Sequence, residues 1–333
     1  MGDIIHALPV PQALKILYPR ARITFLVNRQ FQEILTGNPS IDEILLFDRE
    51  IRNHFFKSIF SIISLVKAIR NKSFDLVIDL QGLLRSGLLA WAAKGKKVIG
   101  FENAREGSRF FYDQRIPVEN ENMHAVDRYL LVPKSMGWSG KAQFDIILNK
   151  KDEEFIEVFI KAEKVKSYLK IIGIQPVGRW KTKQWSGFNF ARLADRIQET
   201  NEYQVVFFGS KEDLFQVQEI AGQMKNLPII ATGKLTLKQL AAFLKKCEML
   251  ITNDSGPMHL AAALNIPVVA LFGATDFRRT GPYGDRHYII HQNIFCSPCF
   301  SRTCLNKSYD MECMETITPE EVFEKFKEME KRC

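Results

Sequence analysis

Long apolar runs are missing from this 333-residue sequence. No run reaches the roughly 18 residues that a membrane-spanning helix needs, so an integral helical membrane protein is not expected. A basic, hydrophobic leader is missing as well. Met1-Gly2-Asp3 runs straight into amphipathic sequence, so no secretory signal is expected and the cytoplasm is the expected address. There is no Lys/Arg block and no aromatic-rich RNA signature, which makes nucleic acid the weakest candidate partner. Cysteine is scarce through most of the chain, because five of the six fall after Gln292. A reducing compartment argues against stable disulfides among them. What is present suits a packed soluble protein: 46% hydrophobic and 25% charged residues, in a length typical of two domains. The net charge of +8 favours acidic partners, whether phosphorylated substrates or an anionic membrane surface.

Two α/β halves are legible. In the first, strands are expected at Arg22–Val27, Ile44–Phe47, Asp75–Leu80 and Lys97–Gly100, with helical patterns such as Lys57–Ile69 and Leu83–Ala93 between them. In the second, strands are expected at Leu169–Gln175, Tyr203–Gly209, Pro228–Ala231, Met249–Thr252 and Pro267–Phe272. Helices are expected there at Phe188–Thr200, Lys211–Lys225 and Thr236–Lys246. Strands that alternate with helices predict parallel sheets covered on both faces, with ligands beyond the carboxyl ends of the strands. The domains are expected at residues 1–155 and 156–315, with a charged, mostly helical stretch at the boundary. A last helix in 316–333 has Thr318 as N-cap, Pro319 at its first position and Glu321 to close a capping box. It is expected to pack back on the N-terminal domain. Gly2-Asp3 and the helical pattern Ile4–Leu17 resemble the turn and helix after a first strand, yet no strand precedes them. A truncated or late-assigned start is the expectation, because losing a central strand would open two edges.

The most informative segment runs from Thr252 to Ala263. An apolar strand breaks at Asn253-Asp254-Ser255-Gly256, and small and apolar residues continue at helical spacing. Backbone N–H groups of the first helical turn, with the helix dipole behind them, bind phosphate. Pro257 costs little in a first turn, and Gly256 permits a close approach to the backbone. Asp254 and His259 add a carboxylate and an imidazole. The competing reading is an ordinary helix capped by Asp254.

In order along the chain stand Gly2-Asp3-Ile4-Ile5-His6-Ala7-Leu8-Pro9, Asp79-Leu80-Gln81-Gly82, Lys183-Gln184-Trp185, and Asn253-Asp254-Ser255-Gly256 through His259 to Leu271-Phe272-Gly273-Ala274-Thr275-Asp276 and Gly281-Pro282-Tyr283-Gly284. Together these resemble the ADP-heptose:lipopolysaccharide heptosyltransferases, glycosyltransferase family 9. Ala104-Arg105-Glu106 and His124-Ala125-Val126-Asp127-Arg128 look most like the heptosyltransferase I branch.

The resemblance implies a GT-B fold: two Rossmann-like doubly wound domains facing a central cleft, here apparently without the first N-terminal strand. It implies an inverting enzyme, without metal or other cofactor, that moves heptose from ADP-L-glycero-D-manno-heptose to the Kdo-lipid A inner core. Such an enzyme would work peripherally on the cytoplasmic face of the inner membrane. Asp3 is the expected base, and Lys183 is expected to stabilise the leaving diphosphate. Asp254, Ser255, Gly256, His259 and Thr275 are expected around the donor. Arginine forks suit the carboxylates and phosphates of the acceptor. Arg105, His124, Arg128, Arg52 and Arg85 are the candidates.

The basic, apolar stretch Phe55–Arg70 is a candidate for contact with an anionic membrane. Alternatives within the family are heptosyltransferase II or another sugar transferase. Outside it, a nucleotide-sugar epimerase or a non-catalytic nucleotide-binding protein fits the same architecture. Cys296, Cys299, Cys304 and Cys313 include a C-x2-C pair that can bind zinc, but the spacing after Cys299 matches no standard module. Free or transiently oxidised thiols are the expectation there, and no metal.

Overall fold

The computed structural model describes residues 1–48 and 55–332. Two compact units divide the chain: Asp3–Ile147, and Leu148–Cys333 together with Met1–Gly2.

The first unit opens with α1 (Gly2–Ala7), whose first residue is counted with the second unit, and α2 (Pro9–Leu17). Pro9 and Pro11 fall in the first turn of α2, where a missing N–H goes unnoticed. There follow β1 (Thr24–Asn28), α3 (Gln32–Leu35), β2 (Glu43–Phe47), α4 (Phe55–Arg70), β3 (Leu76–Ile78), α5 (Leu84–Ala92), β4 (Lys97–Phe101), β5 (Gln114–Ile116) and α6 (Ala125–Lys134). All strand pairs are parallel. They form two sheets rather than one, β1-β2 and β3-β4-β5. Strand β5 has only three residues, Gln-Arg-Ile, too short and polar for an apolar pattern to mark it. Arg52 lies outside the described residues.

The second unit holds α7 (Lys150–Ala162), β6 (Lys170–Gln175), α8 (Gly187–Gln198), β7 (Tyr203–Phe207), α9 (Leu214–Ala221), β8 (Ile229–Ile230), α10 (Leu237–Leu244), β9 (Cys247–Asn253), α11 (Gly256–Ala263), β10 (Val268–Phe272), α12 (Phe277–Thr280), β11 (His287–His291), α13 (Glu312–Glu315) and α14 (Pro319–Glu330). Its six strands are all parallel, in the order β11-β10-β9-β6-β7-β8. Counted within the unit this is 3-2-1-4-5-6 read from the other edge, the doubly wound Rossmann order. The order of strands reverses between β6 and β9, so the loops after those two strands flank a crevice. The central strands are Val/Ile/Leu runs because helices cover both faces.

Two expectations about boundaries are corrected. Residues 148–155 belong to the second unit, since α7 packs on α10 and Phe159 meets the Phe243 ring edge-on at 5.7 Å. The last helix packs into the core of the second unit. Val322, Phe326 and Met329 lie one above another on α14, are buried, and complete the core beside α8, β10 and β11. Phe326 meets Tyr203 edge-on at 5.2 Å. The reason is local: Ile317, just before the helix, is itself buried and its carbonyl accepts the Trp185 indole N–H at 2.9 Å. Only half of the expected capping box forms. Thr318 accepts from the Glu321 N–H at 3.1 Å, while the Glu321 carboxylate accepts from Gln292.

Candidate functional site

Three loops at the carboxyl ends of β6, β9 and β10 meet around Asp254. Its side chain is 6% exposed, and Oδ2 accepts from Lys183 Nζ at 2.5 Å and from Thr275 Oγ1 at 2.6 Å. Lys183 comes from the loop after β6 and Thr275 from the loop after β10. The ion pair therefore spans the point where strand order reverses, the usual ligand crevice of a doubly wound sheet. Of the basic trio Arg179, Lys181 and Lys183, only Lys183 turns inward, its ammonium 4.7 Å from the centre of the Trp180 ring.

Asp254 is not the helix cap. Ser255 occupies the N-cap position of α11 and its side chain makes no capping bond, because its hydroxyl is engaged with Thr252 Oγ1 at 2.8 Å. The first turn of α11 thus has no side-chain acceptor from its cap residue, which suits it to an anion. Ser255, Gly256 and Pro257 are half-buried. The Met1 side chain lies on Gly256, where a Cβ would stand 2.9 Å from Met1 Sδ. His259, buried one turn on, lies against Gly2, where a Cβ would stand 2.7 Å from the imidazole. Asp276 does not join Asp254. It caps α12 and holds the Arg278 guanidinium through both carboxylate oxygens, which keeps its carboxyl below the ordinary aspartate range.

Asn253 is a member of the site that residue types alone do not reveal. It is fully buried; its Nδ2 donates to the Pro176 carbonyl at 2.6 Å and its Oδ1 accepts from the Trp185 N–H at 3.0 Å. One side chain thereby staples both ends of the loop that carries Lys183. Its place in the Asn-Asp-Ser-Gly run is the only sequence signal for it.

The first unit gathers its own charged group. Tyr129 is buried, and its hydroxyl is pushed well above the ordinary tyrosine range, chiefly by burial and then by the charge of Asp3; the charges of Arg128, Asp79 and Arg105 also reach it. Asp3 is exposed in the first turn of α1. Arg128 lies over the Phe101 ring at 4.6 Å. His124 caps α6, accepting from the Val126 N–H at Nδ1, and meets the ring of buried His6 edge-on at 5.2 Å. Arg105 is exposed and joined to the β3–α5 loop through its N–H to the Gly82 carbonyl at 2.8 Å. Arg85 stands exposed on α5.

Beneath them Asp79, 5% exposed, accepts four hydrogen bonds, from the Gln81 and Gly82 N–H groups, the Ser86 hydroxyl and the Tyr112 hydroxyl. This fixes the turn at Gly82, whose φ of +65° glycine adopts without strain.

Residues 62–310 match the model of glycosyltransferase family 9 (heptosyltransferase). The chain is 28% identical over 299 residues to the lipopolysaccharide core heptosyltransferase OpsX of Haemophilus influenzae, covering 87% of this chain and 81% of that protein. It is 26% identical over 351 residues to lipopolysaccharide heptosyltransferase 1 of Pseudomonas aeruginosa, with 97% and 93% covered. Among solved structures, a family 9 glycosyl transferase from Veillonella parvula superposes with a TM-score of 0.85 at 27% identity, covering 100% of this chain and 94% of that one. The Escherichia coli heptosyltransferase WaaC with ADP shares the fold, with a TM-score of 0.75 at 20% identity and 98% and 96% coverage. The fold is that of the GT-B glycosyltransferases.

Proposed function

Because this chain belongs to glycosyltransferase family 9, the heptosyltransferase family, and is a glycosyltransferase, we propose that it transfers heptose in lipopolysaccharide biosynthesis. The donor is ADP-L-glycero-D-manno-heptose and the acceptor is the Kdo-lipid A inner core. The observation that carries this reading is the Lys183–Asp254–Thr275 cluster at the mouth of α11, where the helix cap leaves the first turn open to an anion.

In the proposed reaction Asp3 takes the proton of the acceptor hydroxyl. That oxygen attacks the anomeric carbon, the bond from carbon to diphosphate oxygen breaks, and ADP leaves with the anomeric centre inverted. Asp3 is exposed, so an acceptor hydroxyl can reach its carboxylate, as the role of base requires. The negative charge that develops on the diphosphate falls to the α11 N-terminus and to Lys183, so no divalent cation is called for. Asp254 and Thr275 hold the lysine in place and face the sugar hydroxyls, and His259 stands in the same turn. Arg105, Arg128 and His124 meet the acidic groups of the acceptor, with Arg52 and Arg85 as further contacts.

The lipid part of such an acceptor lies in a membrane surface. Among the described residues no helix is long and apolar enough to cross a membrane. Leu84, Leu88 and Trp91 form one exposed apolar face of α5, and Ile62 and Ile63 are exposed on α4. These, with the net positive charge, support peripheral attachment to the anionic cytoplasmic leaflet. The test is release of ADP from ADP-heptose, without added metal, in the presence of Kdo-lipid A or of acceptor already carrying one heptose. Turnover with the first and not the second is expected. The reverse preference makes the enzyme a heptosyltransferase II, and donor turnover without acceptor makes it an epimerase or hydrolase. Asp3→Ala is expected to abolish transfer; full activity in that variant removes Asp3 from the mechanism.

A further inference from the structure

Residues 292–311 join β11 to α13 with no helix or strand among them. Their path is nonetheless fixed, by bonds to the two loops that flank Asp254. Thr182 Oγ1 donates to the Ser301 carbonyl at 2.7 Å, the Phe300 N–H donates to the Ala274 carbonyl at 2.7 Å, and the Ser297 hydroxyl donates to the Gly273 carbonyl at 2.7 Å. Cys296, Cys299, Cys304 and Cys313 line one small cavity behind this segment, with Thr182 and Ala274 on its wall. Thr182 precedes Lys183, and Ala274 precedes Thr275. Phe300 and Ser301 therefore cross from the loop after β10 to the loop after β6, along the rim of the ligand crevice.

The next residue on that rim is Arg302. It is exposed, and its guanidinium lies 5.2 Å from the centre of the Trp180 ring. Lys183 Nζ lies 4.7 Å from the centre of the same ring. The face of an indole attracts a cation, so one Trp ring holds both. The two cations differ in how they are compensated. Lys183 is neutralised by Asp254. Among the described residues Arg302 makes no ion pair, and Trp180 is its side-chain contact. Like charges at one ring repel, and an anion placed between them relieves that repulsion. A guanidinium with its fork of donors unoccupied suits phosphate oxygens.

We propose that Arg302 is a second cation for the diphosphate of the sugar donor. It meets, from the rim, the same phosphate that Lys183 meets from within, because the two share one ring. This inference rests on the donor-site reading above. The phosphate in question is the one that carries the sugar. It bears one negative charge in the substrate and gains a second as its bond to the anomeric carbon breaks. Arg302 therefore counts for more in the transition state and with the ADP product than with the bound substrate.

Binding of ADP and of AMP to the full chain is measured by calorimetry for wild type, Arg302→Gln, Arg302→Lys and Lys183→Ala. Arg302→Gln is expected to weaken ADP by about tenfold or more, as loss of a hydrogen bond to a charged group does, and to leave AMP nearly unchanged. Arg302→Lys keeps the charge without the fork and should fall between the two. In steady state Arg302→Gln should lower kcat, with the KM for acceptor unchanged. The melting temperature should hold, since the side chain is exposed. Lys151→Gln removes an exposed charge on α7 and should change neither affinity. Equal weakening of ADP and AMP in Arg302→Gln, unchanged ADP affinity, or a raised acceptor KM in its place, overturns the proposal. Lys183→Ala tests the reading beneath it. If that variant loses ADP affinity and Arg302→Gln does not, the donor site stands and only Arg302 is removed from it. If neither loses affinity, the donor site falls as well.

Discussion

Lys183 and Asp254 are both withdrawn from solvent, with side chains 17% and 6% exposed, and each neutralises the other. That makes single substitutions ambiguous in an informative way. In the proposed reaction Lys183→Ala removes a donor to the developing diphosphate charge, and turnover is expected to fall on the order of a hundredfold or more. It also leaves a buried carboxylate unpaired, which costs about 3–5 kcal/mol of stability. The double variant Lys183→Met with Asp254→Asn should regain most of the stability and none of the turnover. Thermal melts and steady-state rates on the three proteins separate the two effects. Recovery of turnover in the double variant would place the chemistry elsewhere.

His287 sets a pH response of its own. Burial holds it below the ordinary histidine pKa, and its Nε2 lies 3.1 Å from the Tyr283 carbonyl. Below the unfolded value of about 6.5 the unfolded chain binds a proton that the folded one does not. The stability tied to neutral His287 is thus complete above that pH and declines as pH falls toward the lower folded value. Denaturation of wild type and His287→Gln at about pH 7.5 and about pH 5.5 should give a larger drop in wild type. Equal drops would remove His287 as the cause.

At the scale of elements, the informative unit is the loop after a strand. The β3–α5 loop hangs from Asp79, whose four donors come from three segments of chain. Tyr112→Phe removes one bond to a charged acceptor and should cost about 1.5–3 kcal/mol. Asp79→Ala leaves the donors stranded and should cost more, loosening the turn against which Arg105 is hydrogen-bonded. Urea midpoints read the stability, and the KM for acceptor reads the loop. An unchanged acceptor KM in an Asp79→Ala protein that still folds would detach this loop from the acceptor. The β6 loop depends on Asn253 in the same manner, which explains a fully buried amide so close to the ligand crevice.

For the whole molecule, the proposed membrane attachment would draw on the +8 charge and on the exposed apolar face Leu84, Leu88 and Trp91. Co-sedimentation with anionic vesicles is expected, weakening as salt rises because surface attraction is screened within a Debye length of about 10 Å at 0.1 M. Trp91→Ser should release the protein from vesicles while leaving its melting temperature nearly unchanged, since Trp91 is 59% exposed. Binding to neutral vesicles as strong as to anionic ones would remove charge from the explanation.

Local pattern was enough for the alternation of strands and helices, the parallel sheets, the strand-turn-helix at Asn253–Gly256 and the capped start of α14. Periodicity and turn chemistry act over a few residues and survive without partners. Short polar β5 escaped that reading because three residues carry no period. Tertiary structure decided the rest. It set aside the competing reading of Asp254 as a helix cap and paired it with Lys183, turned α14 onto the second unit, and brought four cysteines from one uneven spacing to one cavity. Each of these turns on which distant residues meet, and a single chain read in order carries no measure of the distance between residues far apart in it.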